Sequence, residues 1–426
     1  MLKTGVSSQL EGVRSGLQEL EEALKDVRNI ADSLDDIDNT FREVLPLKDR
    51  LKRLKEESLK RSQYATAMEN LKHIFRVPEI IEHTRELIAD GRLLQAHKNL
   101  MELESARDDL LAEMHRQKLH DKHENKLLEA YFSEINSVTE DLSKQMWYVI
   151  RRALDSVRTQ PNKIVTVLRI IEREERIDAA CAEHQKLTGF LPPGRPRAWR
   201  NKCFEILQSV VKEKIEGTQL EDRSTNKHWL VRYLELCRIR ILEDLKVVRS
   251  LCEQCFPPEY KISDKYVQMY HHCISNRLKE IASDDLEKQE IIQLLSWLRT
   301  YGSEELLGNA SLRINVDKLL SKYPLLPRVS VSQLTNKFLE TTQADLKEWL
   351  DKTMQKEKDD WYGDVDVDID GFGYCYTSLP SIIFQMLEDQ VQLAQEISDE
   401  AVVKVIDVCV EELLLFSLRF KGDVLL

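Results

Sequence analysis

The chain has 426 residues, a formal net charge of −12 and 32% charged residues. Thirteen glycines and eleven prolines are about half the usual share, too few turn formers for a sheet-rich protein of this length, so composition predicts an all-α fold. The acidic balance argues against nucleic acid as a main partner, because phosphate binding needs a basic face.

Residues 6–41 form the clearest periodic element. Val6, Leu10, Val13, Leu17, Leu20, Leu24, Val27, Ala31, Leu34 and Phe41 follow steps of four and three, interrupted at Asp38 with Ile37 beside it. A mean period of 3.5 residues predicts a coiled-coil seam along one helix. In this register Leu10, Leu17, Leu24 and Ala31 take a positions, and Val6, Val13, Leu20, Val27 and Leu34 take d positions. Leucine at a with β-branched residues at d leans away from a two-stranded parallel coil toward a bundle of several helices. The plainer reading is one helix of an intramolecular bundle.

Pro46 is expected to interrupt or bend this helix, and Pro78 to start a new one that ends at Gly91. Between them Lys48–Arg61 is rich in lysine and arginine. Such a run can dock on anionic lipid, but the interleaved Asp49, Glu56 and Glu57 make a solvated helix face the better reading. Helices are expected at Leu93–His115 and Leu127–Val157.

From Pro161 the segment IVTVLRIIEREERIDAACAEHQKL reads as an amphipathic helix with proline at its first position. Thr188–Pro196 holds three prolines and two glycines and cannot remain helical, so a stiff elbow follows before a helix resumes at Arg197–Trp199. Phe190 and Leu191 are the apolar residues expected to plug this elbow onto neighbouring helices. Gly217–Asn226 is a polar linker. Beyond it helices are expected at His228–Gln254, Tyr260–Ala282, Asp284–Thr300, from a Ser330–Gln333 capping box to about Lys358, at Leu379–Ile397 and at Asp399–Phe420. The expected organisation is a coiled-coil assembly helix at 1–62, a first helical-bundle segment at 63–220 and a second at 221–426, the bundles stacking as an elongated rod.

Candidate chemical sites read as structural ones. Gly189 and Gly194 have phosphate-loop spacing, but Arg195-Pro196 stands where Lys-Ser/Thr is required. Asp366, Asp368 and Asp370 imitate half a calcium loop whose twelfth position, Thr377, cannot supply the bidentate carboxylate. Cys252 and Cys255 with His271, His272 and Cys273 lack zinc-finger spacing, and His115, His120 and His123 have no completing set. No catalytic motif, cofactor fingerprint or small-molecule substrate site is legible. Eight dispersed cysteines favour a reducing compartment. The start, MLKTGVSSQLEG, lacks the apolar core of a signal peptide, and the apolar run near Val408–Leu418 is broken by Glu411 and Glu412. A cytosolic protein with at most peripheral membrane contact is expected.

Several blocks resemble the exocyst complex component 3 family, a subunit family of the exocyst vesicle-tethering complex. They are RIIEREERID with TGFLPPGRPRAWR, SQLEGVRSGLQEL near the start, LLQAHKNLMELESARD at Leu93–Asp108 and IEGTQLEDRSTNKHWLVRYLE at Ile215–Glu235. CFPPEY at Cys255–Tyr260 and TSLPSIIFQMLEDQ at Thr377–Gln390 continue the series in family order. The resemblance implies a non-enzymatic helical rod, the front part of a longer subunit. The implied partners are other exocyst subunits and SNARE proteins, at plasma-membrane sites where secretory vesicles dock. A homodimeric scaffold of membrane-curving or cytoskeletal type is the rival expectation.

Overall fold

A computed structural model of the chain describes residues 2–117, 130–217, 223, 226–362, 371–373 and 377–424, with 2–10, 43, 45–46, 48–49, 66–67, 69–74, 116–117, 362 and 423–424 described by their backbone alone. Every regular element among the described residues is helical, so the expected all-α class holds. Contacts divide the chain into two compact units, Met1–His83 with Met101–Phe132, and Thr84–Leu100 with Ser133–Leu426.

The first helix, α1, runs from Leu2 to Ala89 without a break. The expected interruption at Pro46 and start at Pro78 are therefore corrected. Each proline removes one backbone N–H from the helical ladder, a local cost that long flanking runs of Leu, Lys and Glu can absorb. Pro78 is also exposed, while Val77, Ile81, Thr84, Leu87 and Ile88 form one buried stripe across it. Gly91, at φ 75°, ends the segment as expected: its N–H and that of Arg92 donate to the carbonyls of Ile88 and Leu87.

Helix α2 is Leu93–Gln117. Of the expected long helix at Leu127–Val157, residues 127–129 lie outside the described residues, and the part from Ser133 is divided into α3, Ser133–Arg151, and α4, Ala153–Thr159, parted at Arg152. Ile135, Val138, Leu142, Met146 and Ile150 are fully buried along one stripe of α3. Helix α5, Pro161–Thr188, takes proline at its first turn and ends on Gly189 at φ 74°. After the elbow comes α6, Trp199–Glu216. Helices α3, α5 and α6 pack on one another and α4 on α5.

Helix α7, Trp229–Val247, continues into a π turn at Val248–Cys252. Helix α8 is Ile262–Ser283 and α9 is Lys288–Gly302, the latter opened by a capping box between Glu287 and Glu290. A short helix, α10, Val316–Lys322, forms where none was expected, with the Asn315 side chain accepting from the Lys318 N–H at 3.0 Å. Helix α11 spans Arg328–Tyr362. It begins ahead of the expected Ser330 cap because Pro327 already supplies the carbonyl that accepts from Val331. Helices α12, Leu379–Ile397, and α13, Asp399–Val424, close the chain and pack on α11 and on each other.

The expected boundary after residue 220 falls inside the second unit. Helices α6 and α7, on either side of it, are joined by Lys214 Nζ to Asp244 Oδ2 at 2.6 Å. Arg240 Nη1 also donates to the Lys214 carbonyl at 2.8 Å.

Candidate functional site

The heptad residues lie where a partner could reach them. Val13, Leu17, Leu20, Leu24, Val27, Leu34 and Phe41 are each more than half exposed, from 54% at Leu24 to 66% at Phe41. Ala31 is exposed as well. Val6 and Leu10 fall on the helical backbone of α1, and their side chains lie outside the described residues. None of the described seam residues from Val13 to Phe41 is covered by other described residues of the chain.

The seam differs in one respect from the expected register. Ile30, Ile37, Val44 and Leu51 recur every seven residues and are 50–65% exposed. From Val27 onward the series Val27, Ile30, Leu34, Ile37, Phe41, Val44 keeps steps of three and four on its own. The change inserts two consecutive three-residue steps, Leu24 to Val27 to Ile30, which locally overwinds a coiled coil. In that second frame Asp38 falls outside the apolar row, and its Oδ2 pairs with Arg42 Nη2 at 2.7 Å one turn on.

A second constellation was missed from the sequence. Glu174 of α5, read there as part of a charged face, is fully buried. Its Oε1 accepts from His97 Nε2 at 2.7 Å and pairs with Arg197 Nη1 at 3.0 Å. Its Oε2 takes Arg195 Nη1, which also donates to Asp178 Oδ1 at 2.9 Å. The Arg195 and Arg197 side chains are 4% and 10% exposed. Burial pushes the Glu174 carboxyl up, but the His97 hydrogen bond and the charges of Arg197 and Arg195 outweigh it and hold its pKa at about 2.

Asp178, one turn beyond Glu174 on the same face of α5, fixes the elbow's far end. Its carboxylate accepts from the backbone N–H groups of Arg197 at 3.2 Å and Ala198 at 2.9 Å. Ala198, at φ 50°, occupies a left-handed conformation that costs a side-chain-bearing residue about 1 kcal/mol. The two bonds to Asp178 hold it there. The Arg195–Pro196 peptide is cis. The Arg197 guanidinium lies 5.0 Å from the Trp199 ring centroid, and Trp199 meets Trp147 of α3 edge-on at 5.7 Å. Phe190 and Leu191, expected to plug the elbow, are only half-buried, so charge pairing does most of that work.

The remaining candidates resolve simply. Cys252 is buried in the π turn and Cys255 half-buried. No group of three or more His, Cys, Asp or Glu among the described residues could hold a metal ion. Asp366, Asp368 and Asp370, with His120 and His123, lie outside the described residues. No helix among the described residues is long and apolar enough to cross a membrane.

An 88-residue helix with an exposed apolar row, and bundles whose buried charges tie helix to helix, define the class among the described residues: an all-α helical-bundle protein. The profile of the family "Exocyst complex component Sec6" matches residues 132–425, and the chain belongs to that family. It is 42% identical to Exocyst complex component 3 of Caenorhabditis elegans over 97% of this chain and 53% of that protein. It is 40% identical to the Drosophila melanogaster protein of the same name, over 100% of this chain and 57% of that one. It thus spans about half the length of these relatives. Among solved structures, the crystal structure of M-Sec is similar with a TM-score of 0.63 at 18% identity, over 79% of this chain and 56% of that chain, a likeness of fold.

Proposed function

We propose that the chain works as a subunit of the exocyst, using the α1 seam to join helices of other exocyst subunits. In this reading the assembly tethers secretory vesicles at the plasma membrane before SNARE-mediated fusion. SNARE proteins are further partners, and membrane association is peripheral from the cytoplasmic side. No catalytic step or cofactor is involved. The observation that carries the reading is the exposed apolar seam on α1, about 42 Å long from Val13 to Phe41. A row of leucines and valines this long is costly in water, at about 1.5–3 kcal/mol for each large side chain that a partner would bury.

The test is Leu17→Asp with Leu24→Asp in the full chain, followed by co-purification with the other exocyst subunits. Loss of the complex with unchanged circular dichroism of the remaining helices is expected. Retention in the complex would refute the seam's role. A stable homodimer of the wild-type chain that the double variant dissolves would favour the rival homodimeric scaffold.

A further inference from the structure

A groove between α8 and the end of α10 carries chemistry that the assembly seam does not use. Gln268, His272, Ser275 and Lys279 follow one face of α8 at helical spacing, and Lys322 and Tyr323 face them from the end of α10. The cavity is about 530 Å³, within the range of specific ligand sites. No lining residue is a carboxylate, in a chain whose net charge is −12. Neither Lys279 nor Lys322 forms an ion pair among the described residues; the Lys322 ammonium rests 5.0 Å from the Tyr323 ring centroid. Below them His271 is buried with Nδ1 3.2 Å from the Tyr301 hydroxyl. Its pKa is lowered first by burial, opposed by a backbone hydrogen bond with Tyr323, and further by the nearby His272 and Lys279. The groove is thus a concave, locally positive patch on an acidic protein. Leu319, Pro324 and Pro327 give it an apolar wall beside the cations.

We propose that this groove binds a phosphorylated serine or threonine side chain on an extended segment of a partner protein. Two ammonium groups and the Gln268 amide supply more donors than one carboxylate can use, and suit a dianion with three acceptor oxygens. The apolar wall suits a neighbouring hydrophobic residue of the same segment. A flat anionic bilayer fits less well, because the groove is recessed and the chain as a whole is acidic.

The experiment uses the full chain and fluorescence anisotropy with an array of phosphoserine peptides of varied flanks and their unphosphorylated twins. Phosphopeptides should bind about tenfold or more tighter than their twins, the effect of one charge-assisted contact or more. Lys279→Glu with Lys322→Glu should abolish that preference without moving the melting temperature, since both side chains are exposed. Lys52→Glu with Lys55→Glu on α1 should leave it intact. Absence of phosphate preference across the whole array overturns the proposal, as does equal binding by the Lys279/Lys322 variant. Binding to phosphatidylserine vesicles that this variant loses, without any phosphopeptide preference, also overturns it and assigns the groove to lipid headgroups.

Discussion

Replacing Glu174 by Gln should be among the most damaging single changes in the second unit. The substitution keeps size and leaves His97 an acceptor, but it removes a carboxylate that pairs with the side chains of both Arg195 and Arg197 in the interior, while Asp178 still holds Arg195. Breaking a buried ion pair from one side costs about 3–5 kcal/mol, because the remaining cations stay desolvated. Linkage gives a matching figure. Moving a carboxyl pKa from 4.5 to about 2 on folding corresponds to about 3 kcal/mol in favour of the folded state. The folded pKa is depressed, so this contribution is complete above pH 4.5 and is lost as pH falls towards about 2. Denaturant unfolding of wild type and Glu174→Gln at neutral pH should therefore differ by about 3 kcal/mol, and the gap should close on acidification. Adding Arg197→Met to Glu174→Gln should cost less than the sum of the two single changes, because one removed charge relieves the other. A neutral-pH difference below about 1 kcal/mol, or strict additivity, would refute the view that this network holds the elbow.

Ile37→Asp should weaken assembly as much as Leu24→Asp, whereas Asp38→Ala should not and should cost only a few tenths of a kcal/mol from its pair with Arg42; pull-down and melting separate the two registers. Phe190→Ala should destabilise by about 1.5–2 kcal/mol, roughly half the usual figure for a buried phenylalanine, because its ring is half-buried. In the native protein at about pH 8, a thiol reagent should spare Cys203 and Cys252, whose pKa burial pushes up to about 12, and Cys237, pushed up to about 11. Half-buried Cys181 should react before any of these, and mass spectrometry of labelled peptides checks the order.

The sequence by itself determined what is encoded within a turn or two of chain. The Gly91 stop, the Pro161 start, the elbow at Thr188–Pro196 and the helix at Leu379–Ile397 all follow from apolar period and from proline and glycine chemistry. The seven-residue spacing of Ile30, Ile37, Val44 and Leu51 was present as well, though a single heptad frame concealed it. The family blocks also held the elbow's residues: His97, Glu174, Asp178, Arg195 and Arg197 all lie within them. What they do was decided by tertiary structure. Glu174 finds His97 77 residues away, and Glu290 finds the Trp229 indole 61 residues away. Asp244 takes the Tyr270 hydroxyl across 26 residues. On a helical wheel each of these acids looks like a surface residue. Burying an acid is tolerable only beside a distant donor, and nothing local in the chain records which donor arrives.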